Sequence, residues 1–199
     1  MGAKIQTFFE NNDYFIDEKV ALFKFTNAYR VYDSSGNQIG TIKESMPAHL
    51  KILSFIMSKA HLPFKLDIMD AEDRVLATIK RGWTFFMSKI EVLNAEGTVI
   101  AHIRQKFALL KPTFTLLDPG EQPLAQISGD WKAWNFVITD SSDTPIGSIS
   151  KKWNGVLKEA FTTADKYIVS INPEVVDAAR KIPIVAAAIT IDMVLKESK

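Results

Sequence analysis

The chain has 199 residues, of which 47% are hydrophobic and 24% are charged, and its formal net charge is +1. This composition excludes a disordered chain, which would need low hydrophobicity and high net charge, and it excludes the overall positive field of an obligate nucleic-acid binder. The absence of cysteine excludes disulfide bonds, zinc–thiolate sites and thiol nucleophiles. The N-terminus, MGAKIQTFFENNDYF, lacks the continuous apolar segment of a secretory signal, so we expect a cytoplasmic protein.

Five segments of the chain share one pattern, an Asp or Asn followed seven residues later by Gly or Ala and then, two residues further on, by Ile. The residues four and two positions before each Asp or Asn are apolar, and the residue between them is polar in four of the five segments. Alternation with period two is typical of a strand with one buried face, and the turn-forming residues that follow predict a β-hairpin. The five predicted hairpins turn at Asp33, Asp70, Asn94, Asp118 and Asp140.

Five hairpins supply ten strands, and two further strand-like stretches lie near Ala21–Phe25 and Tyr167–Ile171. An apolar segment with helical spacing, Pro47–Lys59, separates the first two hairpins and predicts a helical insert near residues 47–60. A twisted sheet of about twelve mostly antiparallel strands tends to close, because closure removes the exposed edges.

The C-terminal region departs from this β pattern. Pro173–Lys181 has the charge order of a helix, and Ile182–Leu195 is apolar on nearly every face. A helix that is apolar all round must be buried, and fourteen residues are fewer than the roughly 20 that span a membrane. We therefore predict a mainly β (α+β) single domain over residues 1–199, a closed antiparallel barrel of roughly twelve strands around a buried hydrophobic helix near residues 183–197. The alternative is a β-sandwich with the helix across one open end.

One carboxylate, Asp192, lies inside this apolar segment. An ionised carboxylate inside a barrel costs several kcal/mol unless it is paired, so we expect a partner from a strand, either Lys, Arg or backbone N–H groups near a barrel mouth. The functional alternative, an ion or lipid path through a membrane helix, would require a longer apolar segment.

The segment Ile146–Tyr167, IGSISKKWNGVLKEAFTTADKY, resembles the signature of the phospholipid scramblase and LURP-one-related families. In those families Gly-x-Ile-x-Lys-x-Trp-x-Gly leads into Glu-x-Phe-Thr and an Ala-Asp-x-aromatic step. The segments Tyr29–Gly40 and Gly129–Phe136 and the tail IDMVL extend the resemblance over nearly the whole chain. The resemblance implies the tubby C-terminal-like fold, a twelve-stranded barrel around a central hydrophobic helix, which agrees with the architecture predicted from the pattern.

The same resemblance implies a non-enzymatic, lipid-related function. Proteins of this fold include phosphoinositide-binding tubby domains and proteins proposed to scramble phospholipids. We expect a cytoplasmic binding module that associates peripherally with anionic phospholipid membranes; the alternative is a scramblase that moves lipids between bilayer leaflets. A third hypothesis, an enzyme or carrier with a small ligand in the barrel, requires a cavity beside the helix. The sequence contains no nucleophile motif or phosphate loop, and its three histidines are isolated, so we predict no enzymatic activity.

The resemblance also implies a calcium loop, which this chain keeps only in part. Asp165 keeps one acidic position and Glu174 keeps the acidic end, but Thr163 replaces the first Asp. Because calcium affinity depends on the number of carboxylate ligands, we expect no high-affinity calcium site and no cofactor. In the alternative interpretation Asp165 closes a turn before the next strand.

Local clusters of basic residues are the main functional candidates. Lysine and arginine side chains attract anionic headgroups with about 1 kcal/mol each near a membrane surface. Beside Lys80 and Arg81 lie three aromatic residues, Trp83, Phe85 and Phe86, and one of these rings could enter the bilayer interface. In the alternative interpretation the rings belong to the barrel core, and the lysines are solvated residues that keep edge strands from pairing with other chains. We expect no nucleic-acid partner, and protein partners cannot be named from the sequence. The candidate lipid-binding residues are Lys80, Arg81, Arg104, Lys106, Lys151, Lys152 and Lys158.

Overall fold

The computed structural model describes residues 8–19, 28–45, 61–83, 89–106, 113–130, 132–151, 166–175 and 177–197. These residues form twelve β-strands and a long C-terminal helix, α1, which spans Ala178–Glu197. The predicted strand near Ala21–Phe25 and the predicted helix near residues 47–60 lie outside the described residues. The strands are β1 Asp13–Lys19, β2 Ala28–Tyr32, β3 Gln38–Glu44, β4 Phe64–Asp70, β5 Val75–Arg81, β6 Lys89–Asn94, β7 Val99–Lys106, β8 Thr113–Leu117, β9 Pro123–Asp130, β10 Asn135–Asp140, β11 Pro145–Ser150 and β12 Lys166–Ile171.

The twelve strands form a closed barrel in which every strand pairs antiparallel with its neighbours in the chain. Strand β1 pairs with β12 and closes the sheet, with Ile16 opposite Tyr167. The predicted barrel is therefore confirmed, and the sandwich alternative is wrong. Closure pairs the strands that would otherwise be exposed edges.

The five predicted hairpins are confirmed as β2–β3, β4–β5, β6–β7, β8–β9 and β10–β11. In each turn the backbone N–H of the Asp or Asn donates to the carbonyl four residues later, over 2.8–3.0 Å, and its side-chain oxygen accepts the N–H of that same residue. The residue three positions after each Asp or Asn has a positive φ of 60–83°. Those residues are Gly36, Asp73, Gly97, Glu121 and Asp143.

The small residue of each hairpin faces the inside of the barrel. Each one lies opposite a buried aliphatic residue of the preceding strand, as Gly40 does opposite Val31. A Cβ at Gly40 would collide with the carbonyl oxygen of Met69, so this position has no space for a side chain. Small inward residues leave room for the helix in a barrel of this size. The five residues are Gly40, Ala77, Ala101, Ala125 and Gly147.

Helix α1 fills the barrel, since every residue from Lys181 to Met193 is buried. It begins at Ala178, five residues before the predicted start near residue 183. Pro173–Val175, which have the charge order of a helix start, are not helical: the N–H of Val175 donates to Asn172 O in a turn, and Asp177 caps the helix by accepting the N–H of Ala179 over 2.8 Å. An Asp side chain that bonds the first free N–H groups favours a helix start at this point. Among the described residues, no helix combines the length and the apolarity that a bilayer crossing requires.

The two ends of the barrel differ. We call the end that carries the five hairpin turns the turn end, and the opposite end, where the other connections between strands leave, the loop end. At the turn end a cavity of about 230 Å³ separates the start of α1 from strand ends, with Ile100, Leu124 and Ile146 among its lining residues. Buried Phe8 and Phe9 also lie in the core, so the N-terminal segment packs against the barrel.

Candidate functional site

Four basic residues on the outer face of β4–β7 lie in two cross-strand pairs. Lys65 is opposite Lys80, and Lys89 is opposite Arg104. All four side chains are exposed. Like charges directly opposite one another destabilise a sheet, but on its other side Lys80 lies opposite Glu91 of β6. We call these four residues, Lys65, Lys80, Lys89 and Arg104, the basic face.

Carboxylates neutralise part of the basic face. Glu121, from the β8–β9 turn, forms ion pairs with Arg104 and with Lys89, whose Nζ lies 2.8 Å from its Oε1. The hydrogen bond from Lys89 is the largest cause of the lowered pKa of Glu121. Lys65 pairs with Asp67 at 3.0 Å. Lys80 forms no ion pair with any residue in the described ranges.

The buried carboxylate of Asp67 anchors Lys65 on this face. Burial alone would raise the pKa of Asp67, but hydrogen bonds from Thr78, Lys65 and Ser45 lower it overall. The Thr78 hydroxyl donates over 2.7 Å and the Ser45 hydroxyl over 3.1 Å. Asp67 therefore stays ionised at neutral pH and offsets the charge of Lys65. Lys80 lies opposite Glu91 of β6 but forms no ion pair with a carboxylate of the described residues.

Trp83 lies two residues beyond the end of β5, at the loop end, and its side chain is 52% exposed. An exposed indole ring combines a large apolar surface with a polar N–H group, which is the property that favours tryptophan at membrane interfaces. Trp83 is therefore not a core residue. Phe85 and Phe86 lie outside the described residues.

Arg81 points to the opposite side of the sheet from Lys80, because successive residues of a strand alternate between faces. Its side chain is 3% exposed, and its guanidinium lies 4.6 Å from the centre of the Phe64 ring. The same group donates to the Leu62 carbonyl over 2.9 Å. Arg81 is thus part of the barrel interior at the loop end and does not belong to the basic face.

The remaining predicted basic residues are Lys106, Lys151, Lys152 and Lys158. Lys106 is the last residue of β7, opposite Thr113. Lys151 directly follows β11, and its ammonium lies 4.6 Å from the centre of the Trp134 ring. Lys152 and Lys158 lie outside the described residues.

Of the two predicted calcium residues, the structure describes only Glu174. Asp165 lies outside the described residues. Its sequence neighbour Lys166 begins β12 at the loop end, whereas Glu174 follows β12 in an exposed turn, where its N–H donates to Asn172 Oδ1 over 3.0 Å. Within the described ranges, no group of three His, Asp or Glu side chains is arranged to hold a metal ion.

Sequence reasoning missed Lys65 as a member of the basic face. The signal was present in the hairpin repeat, because Lys65 and Lys80 are on opposite arms of the hairpin that turns at Asp70. Once the turn position is known, counting back from it along both arms places the two lysines opposite each other.

A second polar cluster lies inside the barrel, near the loop end. Asp192 of α1 is fully buried, and its negative charge acts on the buried phenol groups of Tyr29 and Tyr167, whose hydroxyls have no hydrogen-bond partner among the described residues. Burial is the largest cause of the raised pKa of both tyrosines, and the negative charges of Asp192 and Glu18 raise it further. The two tyrosines that face Asp192 were not predicted from the sequence.

These tyrosines make the stability of the protein sensitive to alkaline pH. The unfolded chain loses phenolic protons near pH 10, whereas the native protein keeps them, so the free energy of unfolding should fall as pH rises above about 10, by up to about 1.4 kcal/mol per pH unit for each phenol. Urea unfolding at a series of pH values would measure this slope. Tyr29→Phe should make it shallower. Burial lowers the pKa of Lys181, so this residue changes the free energy of unfolding with pH in the opposite direction, but its contribution is the same in both proteins and cancels in the comparison. Equal slopes for the wild type and Tyr29→Phe would contradict the prediction.

Comparison with known proteins identifies the family. The Scramblase family model matches residues 16–198. The protein "Altered inheritance rate of mitochondria protein 25" of Saccharomyces cerevisiae is 23% identical over 176 residues, which cover 76% of this chain and 54% of that protein. A phospholipid scramblase family protein of Schizosaccharomyces pombe is 23% identical over 155 residues, covering 73% and 41%. Human phospholipid scramblase family member 5 is 24% identical over 187 residues, covering 86% and 67%.

The fold also matches a solved structure. The X-ray structure of a protein from Arabidopsis thaliana aligns over 100% of both chains with a TM-score of 0.54 and 9% identity, which supports the fold alone. The chain spans about half the length of the two fungal relatives. Because the family model covers nearly all of the sequence, from the first buried strand to the end of the central helix, this protein belongs to the Scramblase family.

Proposed function

We propose that this protein is a non-enzymatic module that binds the surface of anionic phospholipid membranes through the basic face and Trp83. The observation that carries the proposal is the exposed pair Lys65–Lys80, two like charges held opposite each other close to an exposed indole. Membership of the Scramblase family supports a lipid-related role, and several curated relatives are named phospholipid scramblases.

The chemistry of the basic face fits reversible binding to headgroups. Each lysine or arginine near an anionic surface contributes about 1 kcal/mol, and Glu121 and Asp67 reduce the net charge available. Insertion of Trp83 into the interface would add an apolar contribution. Because the charges are exposed, salt should weaken the binding.

Co-sedimentation with vesicles tests this proposal. The protein should pellet with vesicles of phosphatidylcholine and phosphatidylserine at physiological salt, and not with phosphatidylcholine alone. Lys80→Glu should weaken binding about thirtyfold, because reversing one charge near the surface removes about 2 kcal/mol. Trp83→Ala should also weaken it.

Arg180→Glu is the matched control, because it changes the net charge by the same amount at an exposed position at the turn end. It should bind like the wild type. Equal pelleting with neutral and anionic vesicles, or no pelleting at physiological salt, would contradict the proposed binding to anionic phospholipid membranes. An unchanged affinity of Lys80→Glu for anionic vesicles would show that the basic face does not contribute to binding.

Family membership makes phospholipid movement between leaflets the alternative function. That activity would require α1 to leave the barrel and enter the bilayer, which would expose the whole buried segment from Lys181 to Met193. We therefore expect no calcium-stimulated flipping of fluorescent lipid in a dithionite assay with proteoliposomes. Calcium-stimulated flipping would favour the alternative.

A further inference from the structure

Each of the five hairpins has one extra residue in its second strand, close to the turn. On β9, Leu124 lies between Pro123 and Ala125, which face consecutive residues of β8, so Leu124 has no opposite residue there. Such a β-bulge redirects a side chain, and bulges are common at the rims of barrels and beside binding sites. The bulged residues of the five hairpins are all branched aliphatics: Ile39, Leu76, Ile100, Leu124 and Ile146.

The N-terminal segment fills one side of the turn end, beside β3. Phe8 is buried there against Gly40, where an added Cβ would lie 2.8 Å from the Phe8 ring. The ring of Phe9 packs edge-on against that of Phe8, with 4.8 Å between their centres. Lys181 of α1 holds the segment in place, because its ammonium donates to the Asn11 carbonyl over 3.0 Å. Aromatic side chains of the protein itself therefore occupy this side.

The cavity at the turn end lies on the opposite side. In the closed order of twelve strands, β8 and β9 lie across the barrel from β2 and β3. Three of the bulged residues, Ile100, Leu124 and Ile146, line the cavity together with Pro183 and Ile184 of α1. Among the described residues that line it, none is aromatic. The bulges that border both sides thus enclose unfilled apolar space only here.

The volume and the wall of the cavity define the body of a ligand. An apolar cavity of about 150 Å³ stays dry and binds benzene, because an aliphatic wall offers water no polar partners. The cavity of about 230 Å³ is larger in proportion and would hold about nine non-hydrogen atoms. A short alkyl chain, or one aromatic ring with a short substituent, has this size.

Three charged side chains at the mouth of the cavity define the head of the ligand. Asp118, Asp177 and Arg180 line it, and within the described part of the chain none of them forms an ion pair. The Oδ1 atoms of the two carboxylates accept the N–H groups of Gln122 and Ala179, each over 2.8 Å. A carboxylate has about four acceptor positions, so both can accept another hydrogen bond. Two carboxylates and one guanidinium favour a cation.

We propose that this cavity binds a small cationic amphiphile, with its ammonium group at Asp118 and Asp177 and its apolar body between the bulged residues and α1. The site is separate from the basic face and has the opposite charge preference. The inference does not depend on membrane binding, and a failure of either proposal leaves the other intact.

Three probes that share one alkyl chain test the proposal: hexylamine, hexanol and hexanoate. Each would be titrated into the full chain at neutral pH, and the methyl signals of Ile100, Leu124, Ile146 and Ile184 would be followed by NMR. We expect saturable shifts with hexylamine and a dissociation constant on the order of 1 mM, since the ligand is small. Hexanol should bind about threefold more weakly and hexanoate about tenfold more weakly, because exposed ion pairs contribute little each.

Asp118→Asn and Asp177→Asn test the head of the ligand. Asparagine keeps the oxygen that accepts the backbone N–H, as Asn94 does for Thr98 over 2.8 Å in the β6–β7 turn. Each variant should lower the affinity for hexylamine about threefold and leave that for hexanol unchanged, a difference that a general loss of structure would not produce. Asp33→Asn is the matched control, because it makes the same change in the hairpin turn across the barrel and should bind all three probes like the wild type.

Ala125→Leu tests the body of the ligand. Ala125 lines the cavity and is 5% exposed, so a larger side chain enters the empty space. Filling a cavity commonly stabilises a protein, so this variant should melt no lower than the wild type and should bind none of the probes.

Four results would overturn the proposal. The first is the absence of saturable shifts with all three probes, and the second is equal affinity for hexylamine and hexanoate. The third is an unchanged affinity of both Asp118→Asn and Asp177→Asn for hexylamine, which decides the matter whatever the stability of Ala125→Leu. The fourth is binding of hexylamine to Ala125→Leu as tightly as to the wild type.

Discussion

Ile189→Asp is expected to lower the free energy of unfolding by more than about 4 kcal/mol. Ile189 is fully buried at the centre of α1, inside the barrel. Losing a buried isoleucine costs about 2–5 kcal/mol, and an unpartnered carboxylate in the same place costs several more. Domains have a total stability of only about 5–15 kcal/mol, so the variant should be largely unfolded or molten at 25 °C. Near-UV circular dichroism and urea unfolding would measure the loss.

The matched control for this variant is Ala179→Asp, which introduces the same charge on the same helix. Ala179 is exposed in the first turn of α1 at the turn end, where a negative charge interacts favourably with the helix dipole. This variant should unfold within about 1 kcal/mol of the wild type. If Ile189→Asp were as stable as Ala179→Asp, α1 would not fill the barrel in solution.

Asp192→Asn is expected to raise the free energy of unfolding at neutral pH by about 1–3 kcal/mol. The side chain is fully buried, and a buried charge carries a desolvation cost that its partners offset only in part. Asparagine keeps an oxygen that can accept from a phenol and removes the charge. The substitution also removes one cause of the raised pKa of Tyr29 and Tyr167, so both phenols should ionise at lower pH in the native protein. Urea unfolding and the tyrosinate absorbance as a function of pH would measure the two effects.

Thr190→Val provides the control for removing a polar group from the same helix. The Thr190 hydroxyl is buried and has no hydrogen-bond partner among the described residues. Replacing it with a methyl group of the same shape should be neutral or stabilising and should leave the phenol titration unchanged. A loss of stability in Asp192→Asn, or a phenol titration that stays at wild-type pH, would contradict the assigned role of the Asp192 charge.

Local sequence was sufficient to predict the hairpins, since each hairpin is encoded by contiguous residues. Alternating apolar residues mark the strand arms, and Asp or Asn at a fixed position marks the turn. Strand β1 was missed, because Asp13–Lys19 precedes the repeat and pairs with β12, which is more than 150 residues away and has no local signal. The start of α1 was placed near residue 183, five residues too late, because the continuous apolar segment marks only the buried part of the helix, whereas Asp177 caps the helix before its exposed first turn.

The candidate site was predicted less completely than the fold. Lys80 is exposed on the barrel wall, whereas its neighbour Arg81, predicted for the same role, faces the barrel interior. Composition alone does not separate two adjacent basic residues, whereas the strand register assigns them to opposite faces. The same register places Lys65 beside Lys80, and the ion pairs of Glu121 with Lys89 and Arg104 depend on contacts between two hairpins.

The sequence by itself determined the five hairpins and the need to bury the apolar C-terminal helix. These properties follow from periodicity, turn chemistry and hydrophobicity, which act between residues close in the chain. The tertiary structure alone decided that Glu121 pairs with Lys89 and Arg104, that Arg81 lies inside, and that the charge of Asp192 raises the pKa of Tyr29 and Tyr167. These properties depend on closure of the barrel, which brings together side chains that no local pattern relates.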